Sequence, residues 1–455
     1  MKFQVDRSLV SAFGVFTPGE VYDSDDYEQS FYDSLISSGI IKEDFDLLNR
    51  QSPKLALDVT LPPYNAKGNG TTDDTQALQR AINDGITQGI PVYLPKGTYR
   101  TTTGLTAVGS NVMIYGAGGS LTKIKPDAFT YDTLKIGPGV AGSGIAASGY
   151  IRNIDFEGST SWVTGQFSAL KLDGMRQFSV EHITTNRVPI GFDLINNCYG
   201  STFINCRSNL GGIMFNLRTG PQSGSDITFF NCWGRGKDGS IWVSPDAGGF
   251  HFYGGQFTGG DNQGADNDLI GVVVLGKDYI TGAVGNVANV NFDGIDFEGS
   301  KYIHQIRTFG QSILTISNSA FLSTALTTAP EKPLSIFKTT NGQQTRLTLI
   351  NNVVSGIWKS AKAIDVTGQG SVLNIVEIGT AMVNGTVTFN GVTNGDKTSL
   401  LEQSKNPMGT ALYRGDSVSK LLLGGMMIRP NVAGTKMEVS YDWGVTWFSL
   451  NQTAL

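Results

Sequence analysis

Charge is scarce in this sequence: Asp, Glu, Lys and Arg make up 16% of its 455 residues, and 34 basic against 39 acidic side chains leave a formal net charge of -5. There is no block of Lys or Arg, so the electrostatic footprint of a nucleic-acid-binding chain is missing. Long apolar runs are missing too. The longest, LIGVVVLG and LLLGGMMI, fall well short of the roughly 18 residues that a membrane span requires, and membrane insertion is not expected. The opening stretch MKFQVDRSLVSAFGVFTPGE places Asp6 and Arg7 where a secretory signal would carry its apolar core, so the expectation is a chain soluble as synthesised. Cysteine is limited to Cys198, Cys206 and Cys232. That odd set has neither metal-ligand nor redox spacing, and buried reduced thiols are expected rather than a disulfide framework.

What the chain does have is glycine, 58 residues of it, with frequent Asn. Such a composition belongs to many short strands and turns rather than to helices. Residues 1–57 stand apart as an acidic, aromatic N-terminal region with helix-like spacing at Phe31, Leu35 and Ile36. The proline-bearing stretch PKLALDVTLPPYNAKGNG links it to a main domain over 58–382, and residues 383–455 read as a small β module of short strands.

The main domain opens with YNAKGNGTTDDTQALQRAINDGITQGIPVYLPKGTY. Thr72 or Asp73 is placed to cap a helix whose apolar face is Leu78, Ala81, Ile82 and Ile86, and Gly89 ends it. The elements AKGNGTTDDT, VYLPKGTY and MIYGAGG, within residues 64–119, resemble the opening of the pectate-lyase-like superfamily as found in bacteriophage tailspikes and capsule depolymerases. The resemblance implies an all-β chain, a right-handed parallel β-helix solenoid with this helix capping its open end. It further implies a homotrimer on the virion tail, joined to other phage tail proteins through residues 1–57 and acting on a bacterial surface polysaccharide. Capping is what a solenoid end needs, because an open rung exposes strand edges and core.

Eight later segments align as rungs: YIRNIDFEGS, FSVEHITTNR, TFINCRSNLG, ITFFNCWGRG, FHFYGGQFTG, VNFDGIDFEG, LTISNSAFLS and LTLINNVVSG. Their turn residues are Asn153, His182, Asn205, Asn231, Gly254, Gly294, Asn318 and Asn351, of types that tolerate a left-handed backbone. Two places earlier stands an apolar residue in every case, from Ile151 to Leu349; the positions one and three places later are biased inward. A second strand per rung is expected in GFDLIN, GGIMFNL, DGSIWV, IGVVVLG and PLSIFK. The hexapeptide IDFEGS, which occurs at 154–159 and again at 295–300, then fills one structural slot twice, with Ile and Phe inside and Asp and Glu outside.

Outward positions stack between rungs about 4.8 Å apart, which brings Arg207, Trp233, Arg235, Gln256, Asp296 and Glu298 into one patch. A flat apolar face, bidentate donors and two acids are what sugar binding and cleavage require, whereas the plain alternative is a solvated sheet face with one incidental Trp. Asp296 and Glu298 are the expected catalytic pair, one keeping its proton through desolvation beside its like-charged neighbour and the other activating water or attacking. Asp293 lies nearby, and His251 one rung before Asn291. Asp155 and Glu157 occupy the same columns five rungs away, with Thr184 and Asn186 above them, and rank second. The acidic loop GGDNQGADNDL, with Asp261, Asp266 and Asp268, matches no cation-binding spacing, so neither metal nor cofactor is expected. The motifs of the polygalacturonase branch are missing from the sequence, and β-elimination with Arg207 or Arg235 as base stays open beside hydrolysis. A non-cleaving receptor-binding spike is the rival of another class. Near the C-terminus SYDWGVTW resembles the Asp-box of sialidases through Ser440, Asp442, Gly444, Thr446 and Trp447, a folded hairpin turn.

Overall fold

The turn residues found by alignment all adopt a left-handed backbone, with φ of 61° at Asn153, 53° at His182, 52° at Asn205 and 48° at Asn231, 62° and 68° at Gly254 and Gly294, and 51° at both Asn318 and Asn351. Each one bends a coil between two short strands. The computed structural model describes residues 56–137, 148–158, 161, 164–196, 198–218, 226–259, 269–299, 303–323, 337–340 and 345–355; beyond these it describes only the backbone of short strands. The chain divides into two compact units, Met1–Leu57 and Asp58–Leu455.

In the first unit Lys2–Val5 pairs antiparallel with Val21–Asp23 and with Ile41–Lys42, and Leu9–Ser11 forms a hairpin with Gly14–Phe16. The helix-like spacing at Phe31, Leu35 and Ile36 lies outside the described residues. In the second unit two parallel ladders, of 22 and 11 strands, run side by side through successive coils. Strands on either side of each turn residue build the larger ladder. The smaller one collects the return strands, among them Ile190–Ile195, Ile213–Arg218, Ile241–Val243 and Gly271–Leu275. A chain that crosses repeatedly between parallel strands in one direction winds right-handed. The fold is a right-handed parallel β-helix.

The core is aromatic. Phe203, Phe229, Phe252 and Phe292 occupy one inward column, with ring centroids 5.0, 4.2 and 4.8 Å apart and interplanar angles of 22°, 8° and 17°. They stack because the ladder spacing matches the thickness that offset aromatic rings prefer. Polar residues in the next inward column bond along the axis: the Ser319 hydroxyl accepts the Ile295 N–H at 3.0 Å, and the Asn352 side chain accepts the Ser319 N–H at 3.0 Å. All three cysteines are buried and unbridged.

The helix spans Thr75–Gln88, buries Leu78, Ala81 and Ile82, and ends at Gly89 with φ 65°. Ile86 is only half-buried, because it sits at the last turn. The expected cap is displaced by one residue. Asp74 holds the N-cap position, and its carboxylate turns back to accept the Lys67 and Gly68 N–H groups at 2.6 and 3.0 Å. Asp73 takes the Thr75 N–H instead, at 3.0 Å. One acid therefore starts the helix and the other supports it, while Asp74 fastens the preceding Gly-rich turn. The last 56 residues, 400–455, contain a six-stranded antiparallel sheet from Leu400–Glu402 to Phe448–Ser449; the Asp-box stretch beyond Ser440 lies outside the described residues.

Candidate functional site

A groove of about 780 Å³ runs along the strands that follow the turn residues, from Ser120 and Asp155 at one end to Asp296 at the other. Its floor is one register column: Asp155 pairs with Thr184, Thr184 with Arg207, Arg207 with Trp233, Trp233 with Gln256, and Gln256 with Asp296. The column two places on runs Glu157, Asn186, Asn209, Arg235, Thr258, Glu298. Five steps of about 4.8 Å put the two ends about 24 Å apart.

Trp233 is half-buried and its indole N–H donates to the Gln256 side-chain oxygen at 2.7 Å, which fixes both side chains against the floor. Arg207 is exposed and, among the described residues, has no ion-pair partner; Arg235 is half-buried. Asp296 is exposed within the groove, and Glu298, half-buried, accepts the Thr258 hydroxyl at 3.3 Å. Asp296 is exposed, so the desolvation expected of one member of this pair is not found there.

Two expected members stand off the groove. Asp293 and His251 both precede their turn residues, so the left-handed bend sends them to the adjoining face. There Asp293 accepts the Ser317 hydroxyl at 2.9 Å and the Asn318 amide at 2.7 Å. His251 contacts the Asn291 amide at 2.9 Å and reaches Asp226 at 4.0 Å. The acidic loop with Asp261, Asp266 and Asp268 lies outside the described residues. Among the described residues no three His, Cys, Asp or Glu side chains converge as a metal ion would require.

The other IDFEGS copy behaves differently. Asp155 is 4% exposed; its Oδ2 accepts the Ser120 N–H at 2.9 Å, while its Oδ1 is buried without a hydrogen-bond partner. Burial pushes the Asp155 carboxyl above the usual carboxylate range, against the pull of the Ser120 N–H, the neighbouring Thr184 hydroxyl and the Lys123 ammonium, with Glu157 adding to the push. Glu157 is engaged by Arg187 at 3.5 Å and by the Asn186 amide at 3.3 Å. Sequence alignment of the rungs missed Ser120 and Lys123. The larger ladder extends back to Thr122–Pro126, where Lys123 pairs with Asp155, but the wide turn before that strand has Ser120 at φ 65° in place of the Asn, His or Gly that marks later rungs.

Residues 62–137 match the family model described as rhamnogalacturonase A/epimerase, pectate lyase-like. Over 60 residues, 13% of this chain and 6% of the relative's length, the sequence is 42% identical to the preneck appendage protein of Bacillus phage PZA. Over 76 residues, 15% of this chain and 9% of the relative, it is 42% identical to alginate lyase 7 of Azotobacter vinelandii. The structure is similar to that of ORF18 of Geobacillus virus E2, with a TM-score of 0.49 and 15% identity over 98% of this chain and 81% of that one. The chain thus carries a pectate lyase-like segment over residues 62–137, at the head of a right-handed parallel β-helix with an open polar groove along its side.

Proposed function

We propose that this chain is a phage tail spike that binds and depolymerises a bacterial surface polysaccharide in the groove between Asp155 and Asp296. The observation that carries the reading is the groove itself: about 24 Å of one sheet face, floored by Arg207, Trp233 and Gln256 and bounded by carboxyl groups. A linear glycan laid along the axis meets donors, acceptors and one apolar ring in succession, as an extended ligand needs. The short matches to a phage appendage protein and to an alginate-acting enzyme favour a virion tail component working on polysaccharide. In this reading residues 1–57 attach to other tail proteins and three copies assemble as a homotrimer.

Cleavage is by glycoside hydrolysis at Asp296 and Glu298, two places apart on one strand, with Cα atoms about 6.6 Å apart. Glu298, beside the Thr258 hydroxyl, gives its proton to the glycosidic oxygen as the C–O bond breaks. The exposed Asp296 takes a proton from the water that adds to the anomeric carbon. A lyase reading is favoured by one feature, the exposed Arg207 in mid-groove. One experiment tests these roles. Purified protein is incubated with capsule or lipopolysaccharide from candidate hosts, and reducing ends are followed together with the absorbance of unsaturated uronates. Hydrolysis predicts reducing ends without unsaturated product, lost in Asp296→Asn and Glu298→Gln variants that still bind. Unsaturated product overturns hydrolysis in favour of β-elimination, and binding to a glycan that is never cut leaves a receptor-binding spike.

A further inference from the structure

The turn column along the rim of the groove carries a chain of polar groups that begins outside it. His182, Asn205 and Asn231 share one left-handed conformation, with φ of 53°, 52° and 48°, so their side chains stack at the rung spacing of about 4.8 Å. The Asn231 amide nitrogen donates to the Asn205 oxygen at 2.8 Å, and the Asn205 nitrogen lies 3.1 Å from Nε2 of His182. Asn231 lines the groove, whereas His182 and Asn205 do not. There the ladder stops. The next two turn residues, Gly254 and Gly294, have no side chain, and a Cβ at Gly254 would meet nothing within 4 Å. The exposed Asn231 amide therefore has one edge in the ladder and the other toward open space at the rim.

An amide has a donor end and an acceptor end, so each link fixes the next. The Asn205 nitrogen only donates, which makes Nε2 of His182 an acceptor and puts the ring proton on Nδ1. With that polarity the ladder uses an Asn231 N–H and leaves the Asn231 oxygen unpaired. Resting on the groove reading above, we propose that His182, through Asn205, sets which end of the Asn231 amide the rim offers to a glycan: the oxygen while the imidazole is neutral, and an N–H once it is protonated. Imidazolium donates from both nitrogens, and Nε2–H cannot face the Asn205 nitrogen. Turning over both amides about χ2 restores each link in the opposite direction, from Nε2–H to the Asn205 oxygen and from the Asn205 nitrogen to the Asn231 oxygen. No covalent bond changes, and the proton comes from solvent, to which His182 is exposed. The charged groups around His182 are Glu181 on its own strand, which accepts the Ser179 hydroxyl at 2.6 Å, Arg152 on the preceding rung, laid over the Tyr150 ring at 4.7 Å, and Arg207 on the following rung. None of them is a link of the ladder. An acetamido sugar held against the rim by its carbonyl oxygen is matched only after reversal, and one held by its N–H only before it.

Neutron diffraction from crystals of the full chain at about pD 8 and about pD 5, on either side of the ordinary imidazole range, locates the deuterons and separates amide nitrogen from oxygen. At the higher value the expected result is a deuteron on Nδ1 of His182 alone; at the lower, deuterons on both ring nitrogens and both amides turned over. His182→Asn, which keeps a residue type that tolerates the left-handed turn, is expected to hold one ladder direction at both values. Asn205→Gly is expected to leave Asn231 unchanged between them while His182 still gains its deuteron. Unturned amides beside a doubly deuterated His182, or reversal of Asn231 in Asn205→Gly, overturns the relay. Its hold on the glycan is read as KM for acetamido-bearing capsule or lipopolysaccharide from candidate hosts. The ratio of parent to His182→Asn should change between pH 8 and pH 5 by up to about tenfold, one hydrogen bond exchanged for a mismatched pair; a constant ratio overturns the control of specificity. Amide reversal in a chain that cuts no polysaccharide upholds the relay and sinks the depolymerase reading alone.

Discussion

Phe252 and Tyr253 are neighbours in sequence, and replacing each by Ala tests whether the strand alternation truly divides inside from outside. Phe252 is 1% exposed and lies between the parallel rings of Phe229 and Phe292 at 4.2 and 4.8 Å, with Phe257 edge-on at 5.7 Å. Tyr253 is 41% exposed and touches one ring, Phe230, at 5.4 Å. Emptying a packed Phe site costs about 3–5 kcal/mol, and two lost ring stacks push Phe252→Ala toward the upper end. Tyr253→Ala forfeits one exposed stack, of the order of 1 kcal/mol or less. Because each coil touches only its neighbours, the loss is felt locally rather than as a uniform shift of the whole solenoid. The measurement is native-state hydrogen exchange across Phe250–Gly259 and the flanking strands Ile227–Gly236 and Val287–Asp293. Phe252→Ala is expected to lower protection there by about three to four orders of magnitude, and Tyr253→Ala by less than about one. Comparable losses in the two variants would refute the division of this strand into inward and outward sides, and with it the column that floors the groove.

Asp155 sets a pH dependence of stability whose sign follows from its raised carboxyl. A group that binds its proton more tightly folded than unfolded contributes stability that is fully present below the ordinary carboxylate range and lost as pH rises through the raised value. Thermal midpoints of parent and Asp155→Asn should therefore diverge in favour of the variant as pH rises above the ordinary carboxylate range, and parallel curves would contradict it. Asn205 sits at φ 52°, accepts the Asn231 amide at 2.8 Å and contacts His182 at 3.1 Å. Asn205→Ala should cost about 1–2 kcal/mol from the left-handed backbone alone, and Asn205→Gly less; equal melting temperatures for Ala and Gly would remove the backbone argument. Burial pushes the Cys198 thiol up to about 12, and burial together with Cys232 raises Cys206. Alkylation of the folded protein near pH 8 should then be negligible, with about one thiol in ten thousand ionised at Cys198, and label should appear only on unfolding.

Much of the architecture was legible in the chain because a β-helix repeats a local rule. An apolar residue, a left-handed turn residue two places on and inward residues on the alternate positions after it recur from Ile151 to Val354. The register from Asp155 through Trp233 to Asp296 follows once the turn residues are aligned. Return strands are buried on both faces, so only their apolar runs mark them; Ser168–Asp173, with Lys171 and Asp173, and His304–Thr308, whose residues are mostly polar though all buried, show no such run. The helix cap was misplaced by one residue because three consecutive candidates, Thr72 to Asp74, carry the same chemistry, and the distant Lys67 and Gly68 N–H groups chose among them.

The two IDFEGS hexapeptides draw the line most clearly. By itself the sequence determined that both copies occupy the same columns, with Asp and Glu outward, because side-chain direction in a strand depends only on parity and on the turn residue before it. Only the tertiary structure decided that Asp155 is buried and Asp296 exposed. The cause is a neighbouring coil: the turn carrying Ser120 folds onto Asp155 and donates to it, whereas Asp296 lies between Gln256 and Ala320 with its carboxyl open to solvent. Parity is written in six letters, but cover is supplied by a turn about 35 residues away, and it is cover that sets whether a carboxyl keeps its proton.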